Sequence, residues 1–346
     1  MKVALLGPVT WRTPPEAYGP WEQIVSLLAE GLVAEGVDVT LFATLDSVTA
    51  AELDGVCEQP YGPHPQMDGR IWESLHVAYC AERSGDFDLV HNHLDWLPLA
   101  MAGLFRAPLL TTVHGFSSAR IKPAYDHAAR LGAQYVSISD SDRAPGLPYI
   151  ATVHHGIDLA RFPFEPDAQG YLIAFGRIHP DKGTADAIEI ARQVGMPLVI
   201  CGPVHDAEYH RTLVEPHIDG DRVRYPGNVG PEERARLLGG ATALLHPIGF
   251  AEPFGLAVVE TMACGTPVVA YNKGSMPEIV EPGVTGYLAD NVTGAVESVE
   301  RAAKLDRRVI HETAVRRFGA ARMVHDYLDV YKRLLALPNG GHSIGR

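Results

Sequence analysis

One stretch of the chain combines two carboxylates with a turn of the kind that opens a helix. Residues 246–260 read HPIGFAEPFGLAVVE, and a predicted buried strand precedes them. Pro253 and Gly255 fall in the predicted first helical turn, where the missing N–H of proline costs nothing. The amides of Phe254, Gly255 and Leu256 would then face an anion, because a helix N-terminus favours negative charge. The body of this helix is predicted at Leu256–Ala263.

Two glutamates flank this predicted anion site. Glu252 precedes the helix, and Glu260 lies eight residues further on, about 12 Å away at the helical rise. A ligand with a phosphate in its middle and hydroxyl groups at both ends matches this arrangement, which describes a nucleotide-sugar. Glu260 stands within an apolar run, so a carboxylate there needs a partner. The candidate partners are ribose hydroxyls and a neighbouring arginine.

A second loop carries two cations on one turn. Residues 176–183, GRIHPDKG, follow a predicted strand and place Arg177 and Lys182 close together. Arginine offers a forked donor and lysine a point charge, a combination that suits a diphosphate. The alternative, a solvated turn without a ligand, carries about equal weight.

Several histidines stand at the ends of predicted strands. No carboxylate pattern completes a metal site with them, so a structural role is favoured for each one singly. His114 is the exception that we select for a functional role, because Gly115 after it lets a ligand approach closely.

The elements that position these loops alternate between strand and helix. Short apolar runs separated by helical patterns are typical of a parallel, doubly wound sheet. After a proline-rich joint at 162–166 the alternation restarts, with a strand predicted at Leu172–Phe175 and a helix at Thr184–Val194. Ligands of such sheets bind at the carboxyl ends of the strands, where the two loops lie.

We therefore expect an α/β protein with two Rossmann-like, doubly wound domains that face one another across a cleft. The N-terminal domain is predicted at 1–163 and the C-terminal domain at 164–317. An amphipathic helix at 318–337 follows, and residues 338–346 are expected to form a disordered tail.

Composition narrows the classes of partner. The 346 residues carry a net charge of −13 with scattered basic residues, which argues against nucleic acid and anionic membranes as partners. Four cysteines without paired spacing indicate reduced thiols. Neither a signal peptide nor a run of membrane-spanning length is apparent, so we expect a cytoplasmic protein without stable membrane insertion.

With these motifs together, the chain resembles the retaining glycosyltransferases of the GT-B fold in family four, the glycogen-synthase-like group one transferases. The resemblance spans nearly the whole chain. It rests on the Gly-Arg-x-x-x-x-Lys-Gly loop, the Glu252 and Glu260 pair, and the runs GTPVV at 265–269 and PEIV with GVTG at 277–286.

The resemblance implies four catalytic residues. Arg177 and Lys182 would bind the donor diphosphate and neutralise charge on the leaving group. Glu252 would contact hydroxyls of the transferred sugar, and His114 matches the family's histidine beside that sugar. Glu260 would hold the ribose hydroxyls.

The family also implies further donor contacts. Gly19 matches an N-terminal glycine loop, although Pro20 stands where the family usually has a second glycine and removes an amide donor. His155 stands where the family has an asparagine before Gly-Ile-Asp. The remaining predicted donor-binding residues are Gly176, Gly249, Phe250, Phe254, Gly255, Leu256, Gly202, Asn228 and Val229.

The implied function is transfer of a sugar, with retention, from a nucleotide-diphosphate donor to a hydroxyl of a small-molecule or saccharide acceptor. Uridine is the favoured base, the last helix would return to the first domain, and neither a metal nor another cofactor is expected. The N-terminal run 13–19 and the composition are similar to transferases of actinomycete antibiotic pathways. The alternatives are a nucleotide-sugar epimerase on the same fold and a non-catalytic nucleotide-sugar-binding subunit.

Overall fold

The computed structural model describes residues 1–16, 19–115 and 119–337. This part of the chain forms two compact units. Met1–Gly156 and the segment that begins at Ala320 make up the first unit, and Ile157–Gly319 makes up the second. The predicted disordered tail at 338–346 lies outside the described residues.

The division between the units falls after Gly156 and after Gly319, whereas the sequence analysis placed it after residues 163 and 317. The N–H of Ile157 donates to the carbonyl oxygen of Phe318 at 2.8 Å. Ile157 also forms an isolated parallel bridge with Gly319. The proline-rich run 162–166 lies inside the second unit, where the N–H of Glu165 donates to the carbonyl oxygen of Cys264 at 3.0 Å, so that run is not the joint.

The first unit is built on a parallel sheet, seven-stranded in the described part of the chain, in the order β3-β2-β1-β4-β5-β6-β7. Its strands are β1 (Lys2–Leu6), β2 (Asp38–Phe42), β3 (Glu52–Asp54), β4 (Leu89–Asn92), β5 (Leu109–Val113), β6 (Gln134–Ser137) and β7 (Tyr149–Thr152). Helices α1 (Pro20–Ala34), α2 (Gly69–Arg83), α3 (Leu97–Ala100) and α4 (Lys122–Arg130) connect them.

The second unit repeats this plan around a parallel sheet, six-stranded in the described residues, in the order β10-β9-β8-β11-β12-β13. Its strands are β8 (Leu172–Phe175), β9 (Leu198–Cys201), β10 (Val223–Gly227), β11 (Ala243–His246), β12 (Val268–Tyr271) and β13 (Gly286–Ala289). Its helices are α5 (Thr184–Val194), α6 (Ala207–Tyr209), α7 (Pro231–Gly240), α8 (Leu256–Ala263), α9 (Met276–Ile279), α10 (Val292–Ala302) and α11 (Arg307–Phe318).

The strand order places the motif loops at the topological switch point of the second sheet. Chain order reverses between β8 and β11, so the connections that leave these two neighbours run to opposite sides and open a crevice at their carboxyl ends. The loops at that crevice are 176–183 and 247–255. The two motif loops therefore lie at the sheet edge where the sequence predicted them.

The last helix, α12 (Ala320–Ala336), belongs to the first unit. Its buried face carries Met323, Tyr327 and Tyr331, as the amphipathic pattern predicted. The predicted start at 318 is wrong, because Phe318 ends α11 and Gly319 takes extended backbone between the two helices. No helix among the described residues combines the length and the apolar character needed to cross a membrane.

Candidate active site

The loop after β8 packs directly on the loop after β11. Residues Pro180–Lys182 form a 3-10 turn, and Gly183 follows with φ +69° before α5 begins. A side chain at Gly183 would collide with the carbonyl oxygen of Pro247, so only glycine permits this approach. The N–H of Gly249 donates to the carbonyl oxygen of Asp181 at 2.6 Å. The two loops that the sequence singled out are therefore held together.

Lys182 and Glu252 form an ion pair at this junction. The Nζ of Lys182 donates to Oε2 of Glu252 at 2.5 Å, and the same ammonium lies 4.7 Å from the centroid of the Phe250 ring. Only 18% of the lysine side chain and 14% of the glutamate side chain are exposed. The structure thus brings together a predicted diphosphate-binding cation and the predicted sugar-binding carboxylate.

Glu252 is held in its ionised form. Burial alone would raise the pKa of this carboxyl, but the His246 side chain and the Lys182 ammonium outweigh burial and lower the pKa to about 2. The Nε2 of His246, at the end of β11, lies 3.7 Å from Oε2 of Glu252. The carbonyl oxygen of Glu252 accepts the N–H of Ser275 at 2.9 Å, which fixes the backbone as well.

Arg177 lies on the same loop as Lys182. Its Nη1 donates to Nδ1 of His205 at 3.0 Å, and its Nη2 is 3.8 Å from Oδ2 of Asp181. About a third of the side chain, 32%, remains exposed. The guanidinium is oriented by these neighbours and still accessible to an anion.

Helix α8 begins at Leu256, which confirms the prediction of Leu256–Ala263 and contradicts the placement of Pro253 in the first turn. Gly255, at φ +92°, is the N-cap residue, and this left-handed backbone turns the chain into the helix, so the residues before it are not helical. The estimate of 12 Å from the helical rise therefore does not apply. No side chain of the described residues caps this end. The first-turn amides retain their preference for an anion.

Phe254 contributes to the core as well as to the loop. Its side chain is buried and packs edge-on against Phe318, with ring centroids 6.0 Å apart. Its carbonyl oxygen accepts the hydroxyl of Ser275 at 2.8 Å. This part of the approach to α8 is anchored on both sides.

The buried Glu260 pairs with Arg234 of α7. The guanidinium carbon of Arg234 lies 4.5 Å from the centroid of the Phe175 ring, and burial lowers the pKa of this arginine to about 10. Of the two partners that the sequence allowed for Glu260, the structure contains the arginine. Arg234 was missed because it precedes Glu260 by a strand and a loop, and no motif marks it.

The other predicted donor-binding residues of the second unit lie along the same sheet edge. The N–H of Gly176 donates to the carbonyl oxygen of Cys201 at 3.0 Å, and that of Gly202 donates to Gly227 at 3.0 Å. Asn228 and Val229, exposed and half-buried respectively, follow β10.

Gly19 and His114 belong to the first unit. Gly19 is the N-cap residue of α1, and Pro20 is the first helical residue, where a missing N–H is tolerated. The buried carboxyl of Glu22 accepts the N–H of Trp11 at 3.2 Å, and burial raises the pKa of Glu22 to about 7.

His114 joins three other histidines in one hydrogen-bonded series, His91, His93, His114 and His155, here called the imidazole chain. Its Nε2 lies 2.9 Å from Nδ1 of His93, and its Nδ1 lies 3.4 Å from Nε2 of His155. The Nε2 of His93 lies 3.3 Å from Nδ1 of His91. The half-buried ring of His114 also stacks on Trp21, with centroids 5.2 Å apart. The sequence analysis treated these histidines singly and missed their contact.

Burial keeps the imidazole chain uncharged. Burial lowers the pKa of His114 to about 3, and those of His91, His93 and His155 well below the ordinary range. Within the described residues, no group of three or more histidine, cysteine or acidic side chains is arranged to hold a metal ion. The four cysteines are free and buried, as predicted.

Two family models match most of this chain. "Glycosyltransferase Family 4" matches residues 22–161, and "Glycosyl transferases group 1" matches residues 158–316. The chain belongs to the group 1, family 4 glycosyltransferases. This glycosyltransferase is 28% identical to the glycogen synthase of Mycobacterium tuberculosis over 380 aligned positions, which cover 91% of the chain and 88% of that protein.

Solved structures agree on the fold. AviGT4, a glycosyltransferase involved in avilamycin A biosynthesis, superposes with a TM-score of 0.72 at 23% identity and covers 98% of this chain and 99% of its own. HepE from Anabaena, in complex with UDP and glucose, gives a TM-score of 0.73 at 19% identity over 96% and 100% of the two chains. The glycosyltransferase has the GT-B fold with two Rossmann-like domains.

Proposed function

We propose that this glycosyltransferase moves a sugar from a nucleoside-diphosphate donor to an acceptor hydroxyl with retention of the anomeric configuration. The observation that carries the proposal is the Lys182–Glu252 ion pair at the switch point of the second sheet. Arg177 lies on the same loop as Lys182, and the uncapped N-terminus of α8 follows Glu252 along the chain. Two cations and a helix end suit a diphosphate, and the carboxylate suits sugar hydroxyls.

In this mechanism the protein acts mainly by electrostatic stabilisation. Lys182, Arg177 and the amides at α8 neutralise the negative charge that grows on the diphosphate as the bond between the anomeric carbon and the phosphate oxygen breaks. The acceptor oxygen bonds to the same face of the oxocarbenium-like sugar. The acceptor proton passes to the departing phosphate oxygen. Glu252, ionised at neutral pH, accepts hydrogen bonds from the sugar and keeps Lys182 in place.

The environment of His114 supports retention over inversion. An inverting reaction needs a base with a free lone pair, and both ring nitrogens of His114 are engaged by His93 and His155. We therefore assign His114 to orientation of the donor sugar and not to proton abstraction.

Uridine is the proposed base and Glu260 the proposed ribose contact. The neighbour HepE was solved with UDP and with UDP-glucose, which supports a uridine nucleotide here. Arg234 would hold the Glu260 carboxylate in position to accept hydrogen bonds from the ribose hydroxyls. A small-molecule or saccharide acceptor from secondary metabolism is proposed on the likeness to AviGT4.

The decisive experiment compares Lys182→Ala with Lys332→Ala, whose lysine is exposed on α12. We expect turnover of UDP-sugars by Lys182→Ala to fall by about 10²–10³-fold, the loss typical when one transition-state donor is removed. Lys332→Ala should retain full activity. Turnover by Lys182→Ala near that of the wild type would overturn the proposal.

Two further measurements separate the alternatives. NMR of the product anomer tests the stereochemistry, and an inverted product would contradict retention. Incubation with donor alone tests the epimerase, which would convert the sugar without an acceptor. A thermal-shift screen of UDP, GDP, ADP and TDP identifies the base, because a ligand of the native state raises the unfolding temperature. Stabilisation by UDP without any turnover would indicate a binding subunit.

A further inference from the structure

The imidazole chain ends on two tyrosines and a threonine. The Nδ1 of His91 lies 2.7 Å from the hydroxyl of Tyr331, and the Nε2 of His91 lies 2.8 Å from Oγ1 of Thr112. Oγ1 of Thr112 lies 2.8 Å from the hydroxyl of Tyr327. These four side chains are fully buried, and both tyrosines come from α12. A continuous hydrogen-bonded path therefore joins α12 to the His114 ring.

Proton counting restricts this path. A neutral imidazole carries one N–H and one acceptor nitrogen, so each nitrogen–nitrogen contact requires one proton between the two rings. Two acceptor nitrogens that face each other repel, and two N–H groups clash. Once the tautomer of one ring is set, every following ring must adopt the tautomer that continues the same direction.

Tyr331 sets the direction. Its hydroxyl has one hydrogen-bond partner among the described residues, Nδ1 of His91. If that nitrogen carried the proton, the phenolic hydrogen would be buried without an acceptor, which is unfavourable. When Tyr331 donates instead, the proton of His91 is on Nε2 and points at Thr112. The threonine oxygen has two lone pairs, so it accepts from both His91 and Tyr327. Only the hydroxyl hydrogen of Thr112 then lacks an acceptor, and this hydroxyl is a weaker donor than a phenol.

The direction then passes along the chain. The single lone pair on Nδ1 of His91 accepts from Tyr331 at 2.7 Å and is shared with His93 over the longer contact of 3.3 Å. A lone pair on Nε2 of His93 would face it and repel it, so His93 carries its proton on Nε2 and its Nδ1 accepts from Nε2 of His114. The Nδ1 of His114 in turn accepts from Nε2 of His155. We propose that Tyr331 is a positioning residue that sets the tautomer of His114 through the imidazole chain, with all four rings protonated on Nε2.

This inference rests on the proposed function in one respect, the orientation of the donor sugar by His114. A ring that donates from one nitrogen and accepts at the other is fixed against rotation by both contacts and by stacking on Trp21. The His114 ring therefore presents the same edge to the donor sugar at all times, and neither of its nitrogens is free to act as a base. The tautomer itself is a property of the protein alone and is measured without any substrate.

The test is ¹⁵N NMR of protein labelled in its histidine rings, since protonated and unprotonated ring nitrogens resonate well apart. We expect the wild-type enzyme to show four buried rings protonated on Nε2. In Tyr331→Phe there is no phenolic hydrogen that needs an acceptor, so protonation of His91 on Nδ1 is no longer penalised. With the proton on Nδ1, the Nε2 of His91 becomes an acceptor for the hydroxyl of Thr112. The signals of all four rings, His91, His93, His114 and His155, should therefore move to the Nδ1-protonated form.

Tyr327→Phe is the matched control, because it removes a buried hydroxyl one turn earlier on α12 that contacts Thr112 and not a ring. It should leave the four tautomers unchanged. Nδ1 protonation of His114 in the wild type overturns the inference even if Tyr331→Phe does not fold. An unchanged spectrum in a folded Tyr331→Phe also overturns it. Failure of sugar transfer leaves the NMR result intact, so the two proposals fail separately.

Discussion

The two units bury polar groups at the carboxyl edges of their sheets in opposite ways. The second unit buries ionised groups and matches each with a charge of opposite sign, Lys182 with Glu252 and Arg234 with Glu260. The first unit buries imidazoles, removes their charge and satisfies them with hydrogen bonds. A buried ion must have a partner, and a buried neutral group needs only its hydrogen bonds. The charged groups of the second unit can exchange their ion-pair partners for an anionic ligand. The neutral, hydrogen-bonded imidazoles of the first unit favour a fixed arrangement of side chains.

Acidification should have the largest effect, because it should destabilise the first unit and leave the second unit nearly unchanged. In the folded protein burial lowers the pKa values of His76, His91, His93, His114 and His155, all in the first unit, below the ordinary value of 6.5. The unfolded chain then binds more protons, so stability is complete above pH 6.5 and falls as the pH falls below it. We expect a loss of about 1 kcal/mol for each histidine at pH 5.5, partly offset by Glu22, whose raised pKa acts in the other direction.

The second unit should respond at a lower pH. The pKa of Glu252 is lowered from 4.5 to about 2, so its stabilisation is present above pH 4.5 and is lost only below that value. Hydrogen exchange at pH 7 and pH 5.5, corrected for the intrinsic exchange rate, should show loss of protection in β4, β5 and α12 and little change in β8 and β11. Equal loss in both units would contradict the contrast.

Glu260→Gln should produce the next largest effect. It leaves the half-buried Arg234 charge without its counterion, and we expect the free energy of unfolding to fall by about 3 kcal/mol. Urea unfolding measures this value, with Glu297→Gln on the exposed face of α10 as the control. Glu260→Gln combined with Arg234→Met should recover part of the loss. A loss no larger than that of Glu297→Gln would show that the pair is not coupled.

The pair of Lys182 and Glu252 should show a smaller coupling, because a flexible lysine can turn its ammonium toward solvent more readily than a planar guanidinium that stacks on Phe175. Lys182→Met or Glu252→Gln alone should lower the free energy of unfolding by about 2 kcal/mol, and the double variant by less than the sum. A double-mutant cycle from urea unfolding gives the coupling energy. If the free-energy losses of the two single variants simply added, the contact between Lys182 and Glu252 would contribute nothing to stability, and its role would be restricted to the ligand.

Thr112→Val tests the neutral edge and should have the smallest effect. The substitution keeps the shape but leaves the N–H of His91 and the hydroxyl of Tyr327 without their partner, at a cost of about 1 kcal/mol. Thermal unfolding against Thr293→Val, an exposed threonine on α10, measures the difference. A Thr112→Val protein as stable as its control would show that these groups find other partners.

The sequence predicted best those features that depend on local pattern. Leu172–Phe175 and Thr184–Val194 coincide with β8 and α5, because strands buried on both faces are short apolar runs and helices show a period of 3.6 residues. The loop that carries Arg177 and Lys182 follows β8 directly, as the sequence predicted. The two loops that carry the proposed donor site could therefore be located from residue types alone.

Features that depend on contact between distant residues were beyond the sequence. The need of Glu260 for a partner was predictable, but its identity, Arg234, required the packing of α7 against α8. The imidazole chain did leave a signal, because His91 and His93 stand two residues apart at the end of β4, and side chains at that spacing share a face of an extended chain. The adjacency of β4 and β5 and the return of α12 complete that cluster, and neither follows from local pattern.

The backbone bridge between Ile157 and Gly319 has a consequence for modularity. The second unit is an insertion into the first, entered after Gly156 and left before Ala320, and a side chain on Gly156 would lie 2.7 Å from the Cα of Ala320. The host chain thus has its two cut ends side by side, the arrangement in which domain insertion is tolerated. Residues 157–319 form one continuous segment, so a recombination that replaces the second unit needs two crossovers at a single point of the fold.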